Sequence, residues 1–219
     1  MIKTFKAAAL ALMLGTTSAM AADISAPAAF DWSGGYLGID FGAALNSSQW
    51  SSPTNSYLPF NTNGSGAALG GVLGYRRQME NNVVIGAEVS GDWVGVDGEA
   101  NCVTFTPTCI TKQDFLGLGQ VNIGLAQGRA HVYISGGAAL GDYHYSEITS
   151  LNQAWDGGMR LGWTAGAGFD YAINDKWLAG VRWNYYDFGT QSNGGGISPV
   201  VVNFKESGNL ITARIEYKF

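Results

Sequence analysis

Residues 209–219 alternate without a slip. Ile211, Ala213, Ile215, Tyr217 and Phe219 fall on one side; Thr212, Arg214, Glu216 and Lys218 fall on the other. A helix repeats every 3.6 residues and cannot hold this pattern, whereas successive side chains of a strand point to opposite faces. The same period runs through 159–173, where Leu161, Trp163, Ala165, Ala167, Phe169, Tyr171 and Ile173 oppose Arg160, Gly162, Thr164, Gly166, Gly168 and Asp170. In 177–189, Trp177, Ala179, Val181, Trp183 and Tyr185 oppose Gly180, Arg182 and Asn184. Weaker versions occupy 34–45, 65–77, 83–95, 112–126 and 130–144. The pattern predicts eight strands.

The connections between these segments alternate long and short: 46–64, 78–82, 96–111, 127–129, 145–158, 174–176 and 190–206. Short turns on one side and long loops on the other are the mark of an outer-membrane barrel. The expected fold is therefore all-β: an eight-stranded antiparallel up-and-down transmembrane β-barrel with short periplasmic turns and four long outer loops. An even strand count puts both ends of the barrel on the periplasmic side. Eight strands enclose only enough space for side chains. The large aromatic face is accordingly assigned to lipid, and the face of Gly, Ser, Asn, Arg and Asp to the lumen. Aromatic girdles are expected from Trp32, Tyr75, Tyr171, Trp177, Tyr217 and Phe219 at the periplasmic rim. Trp93, Phe115, Tyr143 and Tyr185 would form the outer one.

The first residues do not continue this pattern. Lys3 and Lys6, the apolar run Ala7 to Leu14 and the small-residue site Ala19-Met20-Ala21 read as a cleaved secretory signal peptide over 1–21. A short periplasmic segment, 22–31, and a barrel over 32–219 would follow. Export gives meaning to Cys102 and Cys109, the chain's two cysteines, with six residues between them. In an oxidising compartment they are expected to form a disulfide, contributing roughly 2–3 kcal/mol.

Composition agrees with this solvent assignment. Charged residues are 13% of the chain, Gly supplies 32 of 219 residues, and the net charge is −5. Soluble domains usually carry about 25% charged residues. An acidic chain without a basic block is also a poor nucleic-acid binder. The charges that remain fall mostly on the lumen face. By parity Asp40, Arg76, Glu88, Asp92, Arg160, Asp170, Arg182, Arg214 and Glu216 point inward, with Gln120, Asn122 and Asn184. Isolated charges there are too costly to desolvate, so they are expected to pair into a plug, with Glu88 and Asp170 near Arg182 or Arg214.

Three stretches carry a family resemblance: DWSGGYLGIDFG (31–42), GWTAGAGFDYAINDKWLAGVRWNYYDFG (162–189) and NLITARIEYKF (209–219). They resemble small porin-family, OmpA-like outer-membrane β-barrels. Among these they are most similar to the alphaproteobacterial outer-membrane immunogenic (25/31-kilodalton) surface proteins, a group with some hemin-binding members. The resemblance implies a cell outer membrane location, contact with lipid and lipopolysaccharide, and surface interaction, with host molecules or hemin as candidate partners. It also implies that Ile215, Tyr217 and Phe219 form the signal read by the barrel-assembly machinery.

Other motifs admit a chemical reading beside an ordinary structural one. His131, His144, Tyr143 and Tyr145 are candidate heme or ligand residues, since His and Tyr ligate heme iron. His144-Tyr145-Ser146-Glu147 resembles the H-x-S of small outer-membrane lipid A deacylases, but a polar strand end at the headgroups explains it as well. Asp92, Asp97 and Glu99 could offer oxygen ligands to a divalent cation, though their spacing fits no loop motif. The reading taken forward is a non-enzymatic barrel with no catalytic site, resident metal or cofactor. A hemin-binding or narrow porin-like barrel is the alternative.

Overall fold

A computed structural model describes residues 30–52, 60–101, 108–148, 153–193 and 202–219. The signal peptide, most of segment 22–31 and Cys102 lie outside the described residues. The strands are β1 (Gly34–Ser51), β2 (Phe60–Gln78), β3 (Val83–Asn101), β4 (Thr108–Gln127), β5 (Ala130–Ile148), β6 (Gln153–Ala172), β7 (Trp177–Asn193) and β8 (Val202–Lys218). Each pairs antiparallel with the next, and β8 returns to β1, so the sheet closes on itself in the order β1 to β8. The eight strands and their alternation are those the sequence predicts.

The strands are longer than their apolar pattern suggested. Residues 46–51, 60–64, 96–101, 108–111, 145–148, 153–158, 190–193 and 202–206, expected in outer loops, lie in strands. The outer connections shrink to 52–59, 102–107, 149–152 and 194–201. The reason is a change of solvent along each strand. Leu37, Ile39, Phe41 and Leu45 face outward on β1, as do Val132, Ile134 and Leu140 on β5. Each set spans nine residues, close to the ~9–11 that cross a bilayer when tilted. Above this belt the outward positions turn polar: Gln49, Asn61, Asn63, Asp97, Glu99, Lys112, Asp114, His144 and Lys205 are all exposed. The inward positions turn apolar at the same height. Trp50, Val94, Val96, Leu116, Tyr143, Tyr145, Tyr186, Phe188, Phe204 and Leu210 form one buried cluster inside the outer half. The barrel is inside-out in lipid and right-side-out in water.

Two expected girdle members are corrected by this. Tyr143 shares the inward face of β5 with His131, Tyr133 and Ser135 and is fully buried. Trp32 precedes β1, so strand parity does not govern it. With 2% exposure it folds under the periplasmic mouth. There its ring lies 5.0 Å from those of Phe30 and His131, and its Nε1–H donates to Gly128 O at 3.3 Å. Lys218 Nζ, donating to Asp31 O at 2.5 Å, holds this strap to the end of β8. The Ser33 amide donates to Asp31 Oδ1 at 2.8 Å and keeps that carboxyl below its ordinary pKa. The remaining girdle residues, Tyr75, Trp93, Phe115, Tyr171, Trp177, Tyr185, Tyr217 and Phe219, keep outward or rim positions.

The belt height is testable. Ala165→Arg, in the lipid zone, should destabilise folding in vesicles by about 2–4 kcal/mol, and Ser207→Arg, above it, by about 0–1 kcal/mol. Denaturant titration of both variants after refolding measures the difference.

Candidate functional site in the barrel lumen

All nine charged positions assigned inward by parity are buried, as are Gln120, Asn122 and Asn184. They sit between two apolar layers. Below lie Phe30, Trp32, Val84, Ala126, Ala172 and Leu178; above lies the aromatic cluster of the outer half. Seven of the nine charges join into one lattice. Arg182 donates from Nη1 to Glu88 Oε1 at 2.5 Å and from Nη2 to Asp40 Oδ2 at 3.1 Å. Arg214 reaches Asp40 Oδ1 from Nε at 3.1 Å, Glu88 Oε2 from Nη1 at 3.3 Å and Glu216 Oε1 at 3.0 Å. Arg76 holds Glu216 Oε2 at 2.8 Å and Asp170 Oδ2 at 3.0 Å.

The lattice rests on neutral groups as well. Tyr36 donates its hydroxyl to Glu88 Oε2 at 2.7 Å, and Arg76 Cζ stands 3.9 Å from the centre of the same ring. Gly74 makes room for that ring, since a Cβ there would collide with it. His131 Nδ1 lies 3.6 Å from Asp170 Oδ2. Higher up, Gln120 Nε2 donates to Ser135 Oγ at 3.2 Å and Asn184 Oδ1 at 2.9 Å.

The partners differ from the expected ones in part. Glu88 meets both Arg182 and Arg214, whereas Asp170 pairs with Arg76 instead. Asp92 is buried with no hydrogen bond to either carboxylate oxygen among the described residues, and Arg160 stands apart among the outer aromatics. The sequence reading missed Tyr36 and also Glu206. Glu206 accepts from Ser48 Oγ at 2.5 Å and Tyr145 OH at 2.9 Å. It lies within 190–206, which the sequence pattern leaves to a loop without strand parity.

The other candidates separate. Tyr143 and Tyr145 point inward in the outer half, and His131 points inward beside the periplasmic mouth. His144 points outward, with Nδ1 3.9 Å from Asp114 Oδ2. No heme ligand set is brought together by these four. Ser146 shares the outward face of His144, and the side chain of Glu147 lies outside the described residues. Asp97 and Glu99 face out while Asp92 faces in, and Asp97 pairs with Lys112 at 3.0 Å. Cys109 is buried at the start of β4 and carries no free thiol. Ile215, Tyr217 and Phe219 follow one another down the outward face of β8. Phe219 is 68% exposed, and its amide donates to Gly35 O at 3.0 Å.

A closed barrel with an aromatic-rimmed apolar belt and a charge-filled lumen defines an outer-membrane β-barrel. The chain belongs to the family described as outer membrane protein beta-barrel domain, which matches residues 7–219. It is similar along its whole length to the 31 kDa outer-membrane immunogenic protein of Brucella melitensis biotype 1 and of Brucella suis biovar 1. Each is 33% identical over 247 residues, covering 100% of both chains. Among solved structures, the outer membrane protein OprG from Pseudomonas aeruginosa shares the fold with a TM-score of 0.52. That likeness is at 12% identity and covers 87% of this chain and 98% of the other. The protein is a Gram-negative outer-membrane protein.

The lattice predicts its own fragility. Glu88→Ala removes the shared partner of Arg182 and Arg214 and should destabilise the barrel by about 3–5 kcal/mol, because a buried charge is left uncompensated. The midpoint of urea unfolding in lipid vesicles measures this.

Proposed function

We propose that this protein is a sealed, non-catalytic surface barrel that supports the envelope and interacts with the surroundings through its outer end. The observation that carries the reading is the charge lattice, which crosses the lumen from β2 to β6 and from β7 to β3. Guanidinium and carboxylate groups fill the space where a conduit would have to run. Trp32 and its apolar neighbours close the mouth beneath. Size points the same way, since water-filled channels belong to barrels of about 16 or more strands.

The outer end is the part that meets other molecules. Its polar crown stands at the height of lipopolysaccharide headgroups and presents the outward side chains Gln49, Asn63, Asp97, Lys112 and His144. The Brucella relatives carry the word immunogenic in their name, which suits a surface seen from outside. The exposed series Ile215, Tyr217 and Phe219 is proposed as the signal for the barrel-assembly machinery.

Single-channel recording in a planar bilayer tests the sealed lumen. The refolded protein should show no stable openings. Stable openings that grow in Arg182→Ala, with heat-modifiable mobility retained, would make the lumen a conduit.

A further inference from the structure

The β6–β7 seam is shorter than the strands that form it. Among the described residues its ladder runs from Ala172↔Leu178 to Trp163↔Asp187 and stops there. Yet β6 extends to Gln153 and β7 to Asn193, each still paired on its other side. Both parting strands are bent. The β5–β6 register shifts between Tyr143 and Tyr145, and Gly158 there has φ 66°. The β7–β8 register shifts between Asp187 and Gly189, whose φ is 68°. Bulges of this kind turn a strand and increase its twist. A Cβ on either glycine would meet nothing within 4 Å, so both border open space. Met159 and the 74% exposed Leu161 face outward beside the break. The wall therefore parts at the outer edge of the apolar belt.

Arg160 lies behind that break, pointing inward from β6 with 3% exposure. Its Cζ stands 5.1 Å from the ring centre of Tyr145, 5.7 Å from Tyr143 and 6.0 Å from Phe204. Nη1 donates to Phe204 O at 3.5 Å. Nε and Nη2, which make up one edge of the guanidinium fork, have no hydrogen-bond partner among the described residues. Two neighbours in the same cluster are left open too: the Tyr143 hydroxyl and Glu206 Oε2. Buried polar atoms are almost always hydrogen-bonded, and here four, on Arg160, Tyr143 and Glu206, are left open in the outer half of the lumen.

We propose that the outer half of the lumen at Arg160, reached through the break in the seam, binds a small organic carboxylate. A carboxylate matches the free Nε/Nη2 edge with two parallel hydrogen bonds, the geometry for which arginine is suited. The Tyr143 hydroxyl supplies a further donor, and the rings of Tyr145 and Phe204 cover the apolar body of the ligand. Glu206 selects against a doubly charged phosphate and can accept from a donor group on the bound molecule. The site lies above the charge lattice, so binding needs no conduction through the barrel.

Calorimetric titration of the refolded full chain with benzoate tests this, with benzyl alcohol and inorganic phosphate as comparators. Saturable binding of benzoate alone is expected. Arg160→Lys keeps the charge but loses the fork, and should weaken binding at least about tenfold. Tyr143→Phe should weaken it several-fold, and both variants should retain heat-modifiable mobility. Absence of saturable benzoate binding by the native protein overturns the proposal. So does equal affinity of the native protein and folded Arg160→Lys, or equal binding of benzyl alcohol.

Discussion

Charge is costly to leave alone in a space too narrow for water. The lumen of an eight-stranded barrel holds side chains and little else, and an unpaired ion there carries a desolvation penalty of several kcal/mol. Asp40, Glu88, Asp170 and Glu216 are therefore tolerable only where Arg76, Arg182 and Arg214 can reach them. These contacts tie β2 to β6 and β8, β7 to β1 and β3, and β8 to β1 and β3. Buried ion pairs add little net stability over apolar packing, but a mismatch among them is severe. A one-residue slip of any strand would turn its lumen charge toward lipid. The lattice thus acts chiefly on register, and it favours the single closed arrangement over its near neighbours.

The alternation that built the barrel was legible in the lower two-thirds of each strand, because one solvent lies outside throughout. Asp40, Arg76, Arg182 and Arg214 could be placed inside from parity alone, as could the outward positions of Leu161 and Ala165. Above the lipid the rule reverses. Trp50 and Phe204 point inward between outward Gln49 and Lys205, a sequence that reads as loop when apolar is taken to mean outward. Tyr143 was misplaced for the same reason. The bulge between Gln113 and Phe115 adds a local shift, leaving Asp114 and Phe115 both exposed. Periodicity cannot report a residue that breaks it.

Partners were less legible than faces. Which carboxylate meets which arginine depends on stagger across the lumen, and a single strand's pattern contains no stagger. Asp170 accordingly pairs with Arg76 and not with the arginines of β7 and β8. By contrast, the separation of Tyr143 and Tyr145 from His144 follows from parity on any strand, and their proximity in sequence is misleading. Trp32 belongs to neither case. It lies outside the repeating pattern, and its burial under the mouth depends on the strap that Asp31 and Lys218 hold in place.

The break in the β6–β7 seam raises a question of cohesion, since closure is what spares a barrel its free edges. Two features make the parting tolerable. The bulges at Gly158 and Gly189 bend the two edges, so neither presents a long flat template for pairing. Below the break, each strand is fastened to a distant wall: β6 through Asp170 to Arg76 on β2, and β7 through Arg182 to Glu88 on β3 and Asp40 on β1. The two strands therefore need not hold each other at the rim in order to stay in the barrel. A rigid, ion-paired base leaves the outer end free to open a seam, and it is at that end that the arginine with an open guanidinium edge is found.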